Sequence, residues 1–125
     1  MTRFNTPSEH DEQTALIDWT VLMQAKWPEL KLFFHIPNEG KRSPAAAMRL
    51  LSEGMKRGVP DNFLPVPRGG YHGLWIELKR TKNSSATKDQ KQWIEDLNAQ
   101  GYLAVVCKGW EAASKVIEEY LEGKI

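Results

Sequence analysis

The segment from Leu74 to Lys79, with the sequence LWIELK, is the feature of this 125-residue chain that most restricts its fold. Its residues favour a strand, and successive side chains of a strand point to opposite faces of the sheet. Ile76 and Leu78 therefore face one side. Glu77 and Lys79 face the other, so a carboxylate and an ammonium lie side by side in an otherwise apolar strand. The ordinary interpretation is an exposed sheet face with a surface ion pair, which contributes little to stability.

A second acid, Asp61, gives this strand another interpretation. The motif Gly58-Val59-Pro60-Asp61 opens the preceding predicted strand, and a Gly-Gly turn separates it from Glu77, 16 residues further on. The two strands can pair as a hairpin that brings Asp61 and Glu77 near one sheet face. Two crowded carboxylates repel each other unless one is protonated or a cation binds. A divalent ion that prefers oxygen ligands, such as Mg²⁺, would resolve the repulsion, and Lys79 could then hold a water or a phosphate.

The rest of the chain predicts helices and strands that alternate around this hairpin. Capping residues and apolar spacing indicate helices at about 9–26, 44–53, 88–100 and 111–121. Strands are expected at about 32–36, 62–66, 74–79 and 102–107, the second weakened by Pro65. Residues 1–125 thus predict a single domain of the α/β or α+β class, with a mixed sheet covered by helices.

Composition and charge narrow the function classes. Hydrophobic residues make up 41% and charged residues 26% of the chain, and no apolar run is long enough to cross a membrane. The net charge is only +1, but residues 24–82 hold eleven Lys and Arg against five Asp and Glu. Phosphate binding needs such a basic region, although an unevenly charged solvated surface is an equal alternative.

The single cysteine, Cys107, excludes an internal disulfide and a multi-cysteine metal site. We interpret it as a small buried residue of the last strand. The expected setting is a reducing cytosol.

Two polar residues lie on the apolar stripes of predicted helices. Glu12 precedes Leu16 by four residues and so shares its face, and Glu9 extends the same stripe. An acid on a buried face needs a cation, but the first turn of a helix also favours acids through the helix dipole. Gln90 could face a site, yet Thr87-x-x-Gln90 equally fits a capping box.

Together these motifs resemble the VRR-NUC family, a branch of the PD-(D/E)XK nuclease superfamily. The matching motifs are Glu12-Gln13, Ile36-Pro37-Asn38, Gly58 to Asp61, Trp75 to Lys79, Gln90 before Trp93, and Gly101-Tyr102. Their order and spacing are similar to those of compact stand-alone members found in phages and bacteria. The resemblance implies a restriction-endonuclease-like mixed sheet flanked by helices. It also implies a metal-dependent DNA nuclease in the cytosol of a bacterium or a phage-infected host.

Carried over by position, the resemblance implies that Asp61, Glu77 and the backbone carbonyl of Leu78 bind Mg²⁺ or Mn²⁺. Lys79 would orient or activate the attacking water and offset the charge of the phosphate.

The resemblance also assigns roles to the two helical polar residues. Glu12 would supply a further carboxylate to the site, and Glu9 could replace it under a three-residue shift. Gln90 would help to position the water or Lys79.

The remaining expectations concern partners. The basic residues that would contact the DNA backbone without reading sequence are Lys41, Arg42, Lys56, Arg57, Arg80 and Lys82. We expect a structural role for His35. The stand-alone members suggest a homodimer that cuts branched DNA such as four-way (Holliday) junctions. One alternative is a non-catalytic module that binds DNA or a replication or repair partner. Another is a small scaffold in which the two acids form a purely structural ion site.

Overall fold

The computed structural model describes residues 6–37 and 42–125. In chain order the described elements are helix α1 (Glu9–Met23), strand β1 (Phe34–His35), helix α2 (Pro44–Ser52), strand β2 (Asn62–Leu64), strand β3 (Leu74–Lys79), helix α3 (Lys88–Ala99), strand β4 (Leu103–Lys108) and helix α4 (Trp110–Leu121). This is the order predicted from the sequence. A 3-10 helix at Pro28–Leu32, which the sequence analysis did not predict, joins α1 to β1.

The described strands form one mixed sheet in the order β1-β2-β3-β4. The first two pairings are antiparallel, so β2 and β3 form the predicted hairpin. Strands β3 and β4 are parallel, and α3 supplies the crossover that a parallel pair requires. The predicted mixed sheet flanked by helices is therefore confirmed.

Helices α1 and α4 cover one face of the sheet. The core between them is built around Leu16 of α1, Leu74 and Ile76 of β3, and Ile117 of α4, each fully buried. Helix α3 packs on β4 from the other side, where the Asn98 side chain bonds to both the N–H and the carbonyl of Ala104. Each layer buries the apolar face of its neighbour, which is the main driving force for the fold.

Several element ends differ from the expected positions. Strand β1 contains only Phe34–His35 because Phe33 still belongs to the end of the 3-10 helix and is buried in the core. Strand β2 stops at Leu64, one residue before Pro65, whose missing N–H cannot join a ladder. Cys107 is buried, as expected, and is 4% exposed. Among the described helices, none has the length and apolar character needed to cross a membrane.

Candidate active site

The Asp61 carboxylate is fixed against strand β3. Asn62 pairs with Ile76, so extending the antiparallel register by one residue brings Asp61 opposite Glu77. The backbone N–H of Leu78 donates a hydrogen bond to Asp61 Oδ1 at 2.9 Å. The register therefore places Asp61 next to the strand position of Glu77.

Glu77 and Lys79 are both buried, with only 1% and 5% of their surfaces exposed. This burial excludes the interpretation of β3 as a solvated face with a surface ion pair. Lys79 Nζ lies 3.7 Å from Glu77 Oε2 and 3.7 Å from Glu9 Oε1. A buried charge is costly without a partner, and the ammonium here lies between two carboxylates.

The two acids of α1 have different partners. Glu9, at the first residue of the helix, contacts Lys79 and accepts a hydrogen bond from Ser84 Oγ at 3.4 Å. Glu12 is 4% exposed, and its Oε1 accepts a hydrogen bond from the backbone N–H of Trp110 at 3.0 Å. Glu12 thus satisfies the first turn of α4, whose N-cap residue, Gly109, has no side chain to do so. The geometry brings Glu9 to the amine of Lys79 and directs Glu12 to a helix end.

Gln90 is the third residue of α3 and is 2% exposed. Its Oε1 accepts from the Thr87 N–H at 2.8 Å, and its own N–H donates to Thr87 Oγ1 at 3.2 Å. The capping box expected from the Thr-x-x-Gln spacing is confirmed.

A cleft of about 170 Å³ opens beside Asp61. Its lining residues are Glu9, His10, Gln13, His35, Ile36, Pro37, Asp61 and Leu78. Leu78 lines the cleft although only 1% of the residue's surface is exposed. Of the residues expected in the site, Asp61, Leu78 and the alternative acid Glu9 line the cleft. Glu77 and Lys79 are buried and are not among the lining residues.

Sequence reasoning gave too little weight to two contacts of this cleft. His35 Nδ1 lies 2.8 Å from the Asp61 carbonyl oxygen; because a carbonyl only accepts, this nitrogen carries the proton. Gln13 and Asn62 join their side-chain amides across α1 and β2, and Asn62 also reaches Asp61. In the sequence, the Glu12-Gln13 motif drew attention to Gln13, but no pattern identified Asn62 as its partner.

The basic residues expected to contact DNA occupy different surroundings. Arg42 is exposed, and its guanidinium donates to the carbonyl of Pro37 at 3.3 Å. Lys56, Arg57 and Lys82 are also exposed. Arg80 is half-buried and its Nε donates to the Lys82 carbonyl at 2.8 Å. Lys41 and Asn38 lie outside the described residues.

Comparison with known proteins identifies the domain. Residues 9–111 match the family model of the VRR-NUC domain. A solved structure described as a VRR_NUC domain protein is 37% identical in sequence, with a TM-score of 0.80, over 95% of this chain and 92% of that chain. None of the curated proteins matches the chain. The chain thus belongs to the VRR-NUC family, and its fold is that of a nuclease-type DNA-processing domain.

Proposed function

We propose that this chain is a metal-dependent endonuclease that hydrolyses phosphodiester bonds in DNA. The observation that carries the proposal is the 2.9 Å hydrogen bond from the Leu78 N–H to Asp61 Oδ1. It ties Asp61 to the strand that carries Glu77 and Lys79. Two carboxylates and one amine are thereby fixed on adjacent strands, next to a cleft that solvent can enter.

The donor set fits Mg²⁺ or Mn²⁺. The groups that would hold the ion are the carboxylates of Asp61 and Glu77 and the carbonyl of Leu78, all oxygen donors. Among residues 6–37 and 42–125, no three His, Cys, Asp or Glu side chains are grouped to hold a metal. Water and a phosphate oxygen would therefore fill the other positions, a coordination that Mg²⁺ commonly keeps. A bound divalent ion would supply Lewis-acid activation of the scissile phosphate and of the attacking water.

Lys79 supplies fixed positive charge at the site. Its amine lies 3.7 Å from both Glu9 and Glu77 in a position almost closed to solvent. Water is largely excluded there, so its charge stabilises the growing negative charge of the phosphoryl transition state more strongly than it would in bulk water.

Two further polar residues join the proposed machinery. We assign the helical acid of the site to Glu9 rather than Glu12, because only Glu9 both contacts Lys79 and lines the cleft. Gln90, buried at the start of α3, keeps its proposed role in positioning the water or Lys79.

Exposed basic residues would guide the DNA to this cleft. Arg42 donates to the backbone carbonyl of Pro37, a residue that lines the cleft. Lys56, Arg57 and Lys82 are exposed in the segments that precede Asp61 and follow Lys79. Cations placed in this way contact phosphates and position the duplex without reading its sequence. Lys41 and Arg80 complete the proposed set.

The finer proposal is a homodimer that cuts branched DNA such as four-way junctions. It is supported by the resemblance to stand-alone family members and by adjacent apolar side chains on α1. Val21 and Leu22 are 61% and 73% exposed, and a second copy could bury them. A two-fold axis would relate two sites, which suits paired cuts across a junction.

A cleavage panel tests the proposal. Supercoiled plasmid, linear duplex, flap, nicked duplex and a synthetic four-way junction are incubated with the protein in Mg²⁺, in Mn²⁺ or in EDTA. We expect cutting only with metal, and the products on the junction map the cut sites. Asp61→Asn and Lys79→Ala should each lower the cleavage rate by about 10²–10³-fold, because each removes a charge from the reacting centre.

Lys108→Ala is the matched control, since Lys108 is the exposed register partner of Lys79 on β4. Its rate should equal that of the unaltered protein. Cutting in EDTA, or full activity in Asp61→Asn, would refute the assignment. Metal-independent DNA binding without any cutting would instead establish the non-catalytic module.

A further inference from the structure

Gln13 and Asn62 form a reciprocal pair of amide hydrogen bonds between α1 and β2. Gln13 Nε2 donates to Asn62 Oδ1 at 2.8 Å, and Asn62 Nδ2 donates to Gln13 Oε1 at 3.0 Å. The same Asn62 nitrogen donates to Asp61 Oδ1 at 2.9 Å. A continuous path of hydrogen bonds thus runs from the first helix to the carboxylate of Asp61.

The direction of each bond follows from chemistry. An ionised carboxylate only accepts, so Asn62 must present its NH₂ group to Asp61. The second hydrogen of that group goes to Gln13 Oε1, and the Asn62 oxygen then takes the hydrogen of Gln13 Nε2. Flipping the side-chain amide of Asn62 or of Gln13 would set acceptor against acceptor and donor against donor. The Asp61 carboxylate therefore fixes the orientation of both amides.

Asn62 occupies a position that the fold would fill more easily with an apolar side chain. It is fully buried, at 0% exposure, and pairs in register with Ile76 on the face that packs against α1 and α4. A buried amide is costly unless its groups are bonded, and here they bond to Gln13 and Asp61. The amide of Asn62 is therefore explained by its hydrogen bonds to Gln13 and Asp61, and not by packing in the core.

We propose that Gln13 and Asn62 are positioning residues that hold the Asp61 carboxylate in the orientation that binds the divalent ion. The inference rests on the proposed function. Asp61 Oδ1 accepts from two directions, the Leu78 N–H and the Asn62 amide. Two donors on one oxygen fix the rotation of the carboxylate, and outer hydrogen bonds of this kind orient metal ligands and set affinity.

Manganese affinity, measured by isothermal titration calorimetry without DNA, is the direct test. Asn62→Leu keeps a similar volume and removes all three side-chain hydrogen bonds of Asn62, and it should weaken Mn²⁺ binding by about tenfold. Gln13→Leu should weaken it less. The double variant should match Asn62→Leu alone, because Gln13 acts through Asn62. Thr14→Ala, an exposed neighbour on α1, is the control and should leave affinity unchanged.

Cleavage kinetics provide a second readout. In Asn62→Leu the Mn²⁺ concentration for half-maximal cleavage should rise by the same factor as the dissociation constant, while the rate at saturating Mn²⁺ stays near that of the unaltered protein. A general loss of structure would lower the saturated rate instead.

The outcomes separate the two proposals. If Asp61→Asn binds Mn²⁺ as tightly as the unaltered protein, the metal site itself is wrong. If Asp61→Asn loses the ion but Asn62→Leu and Gln13→Leu keep full affinity, only the positioning role is overturned. Additive effects of Gln13→Leu and Asn62→Leu in the double variant would overturn the positioning role as well. Should Asn62→Leu fail to fold, Gln13→Leu at its partly exposed position decides the question.

Discussion

The contact between Glu12 and the start of α4 allows a quantitative prediction. The Glu12 carboxylate is 4% exposed and accepts the Trp110 N–H at 3.0 Å. Gly109, with a φ of 90°, offers no capping side chain of its own. In Glu12→Ala the partly buried N–H of Trp110 loses its acceptor, which costs about 1–3 kcal/mol, and the helix dipole loses an anion worth up to about 2 kcal/mol.

Because these two contributions overlap, we expect Glu12→Ala to lower the free energy of unfolding by about 2–3 kcal/mol. For a chain of this length the melting temperature should then fall by roughly 6–15 °C. Glu12→Gln keeps an acceptor oxygen and loses only the charge, so its cost should be about 0.5–1 kcal/mol. Thermal unfolding followed by circular dichroism measures both.

Glu9 is the matched control, because its side chain is 39% exposed and lies on Lys79. Glu9→Gln should leave the melting temperature nearly unchanged, since a partly exposed ion pair contributes about 0–1 kcal/mol, and should slow cleavage. The opposite pattern would refute the reasoning: an unaltered melting curve for Glu12→Ala, or loss of cleavage in Glu12→Gln with full activity in Glu9→Gln.

Two further predictions concern stability. Burial raises the pKa of Cys107 to about 11, so its neutral thiol favours the folded state below pH 9. This contribution to stability should be lost as pH rises from 9 towards 11. In denaturant titrations Cys107→Ala should lose less stability over that range than the unaltered protein, and equal losses would contradict the raised pKa. Tyr120 is buried, and its hydroxyl donates to the Val66 carbonyl at 2.6 Å. Tyr120→Phe should lower the free energy of unfolding by about 1–2 kcal/mol, and an unchanged denaturant midpoint would show that the bond contributes nothing.

Local sequence patterns predicted the elements well where one rule dominated. The bounds of β3 agree with the alternation of side chains from Leu74 to Lys79, and α3 begins after Thr87 because its capping box is encoded within four residues. The same alternation predicted on which face of the sheet Glu77 lies, but it did not predict that Glu77 is buried. Burial depends on what covers the second face of the sheet, and distant segments supply that cover.

The site was harder to predict because its deciding contacts join residues far apart in the chain. Glu9 and Glu12 are three residues apart on one helix, so periodicity places both near the same side. Their separation into a partner of Lys79 and a cap of α4 depends on Trp110, 98 residues from Glu12. The Gln13–Asn62 pair spans 49 residues, and neither side chain has a local signal that identifies its partner.

The 98-residue span of the Glu12 bond also sets an order during synthesis. The hairpin that carries Asp61, Glu77 and Lys79 leaves the ribosome well before α4. The first helix, by contrast, cannot complete its contacts until one of the last segments to be translated has emerged. A product that stops short of Trp110 would therefore leave the Glu12 carboxylate without the N–H from which it accepts in the complete chain.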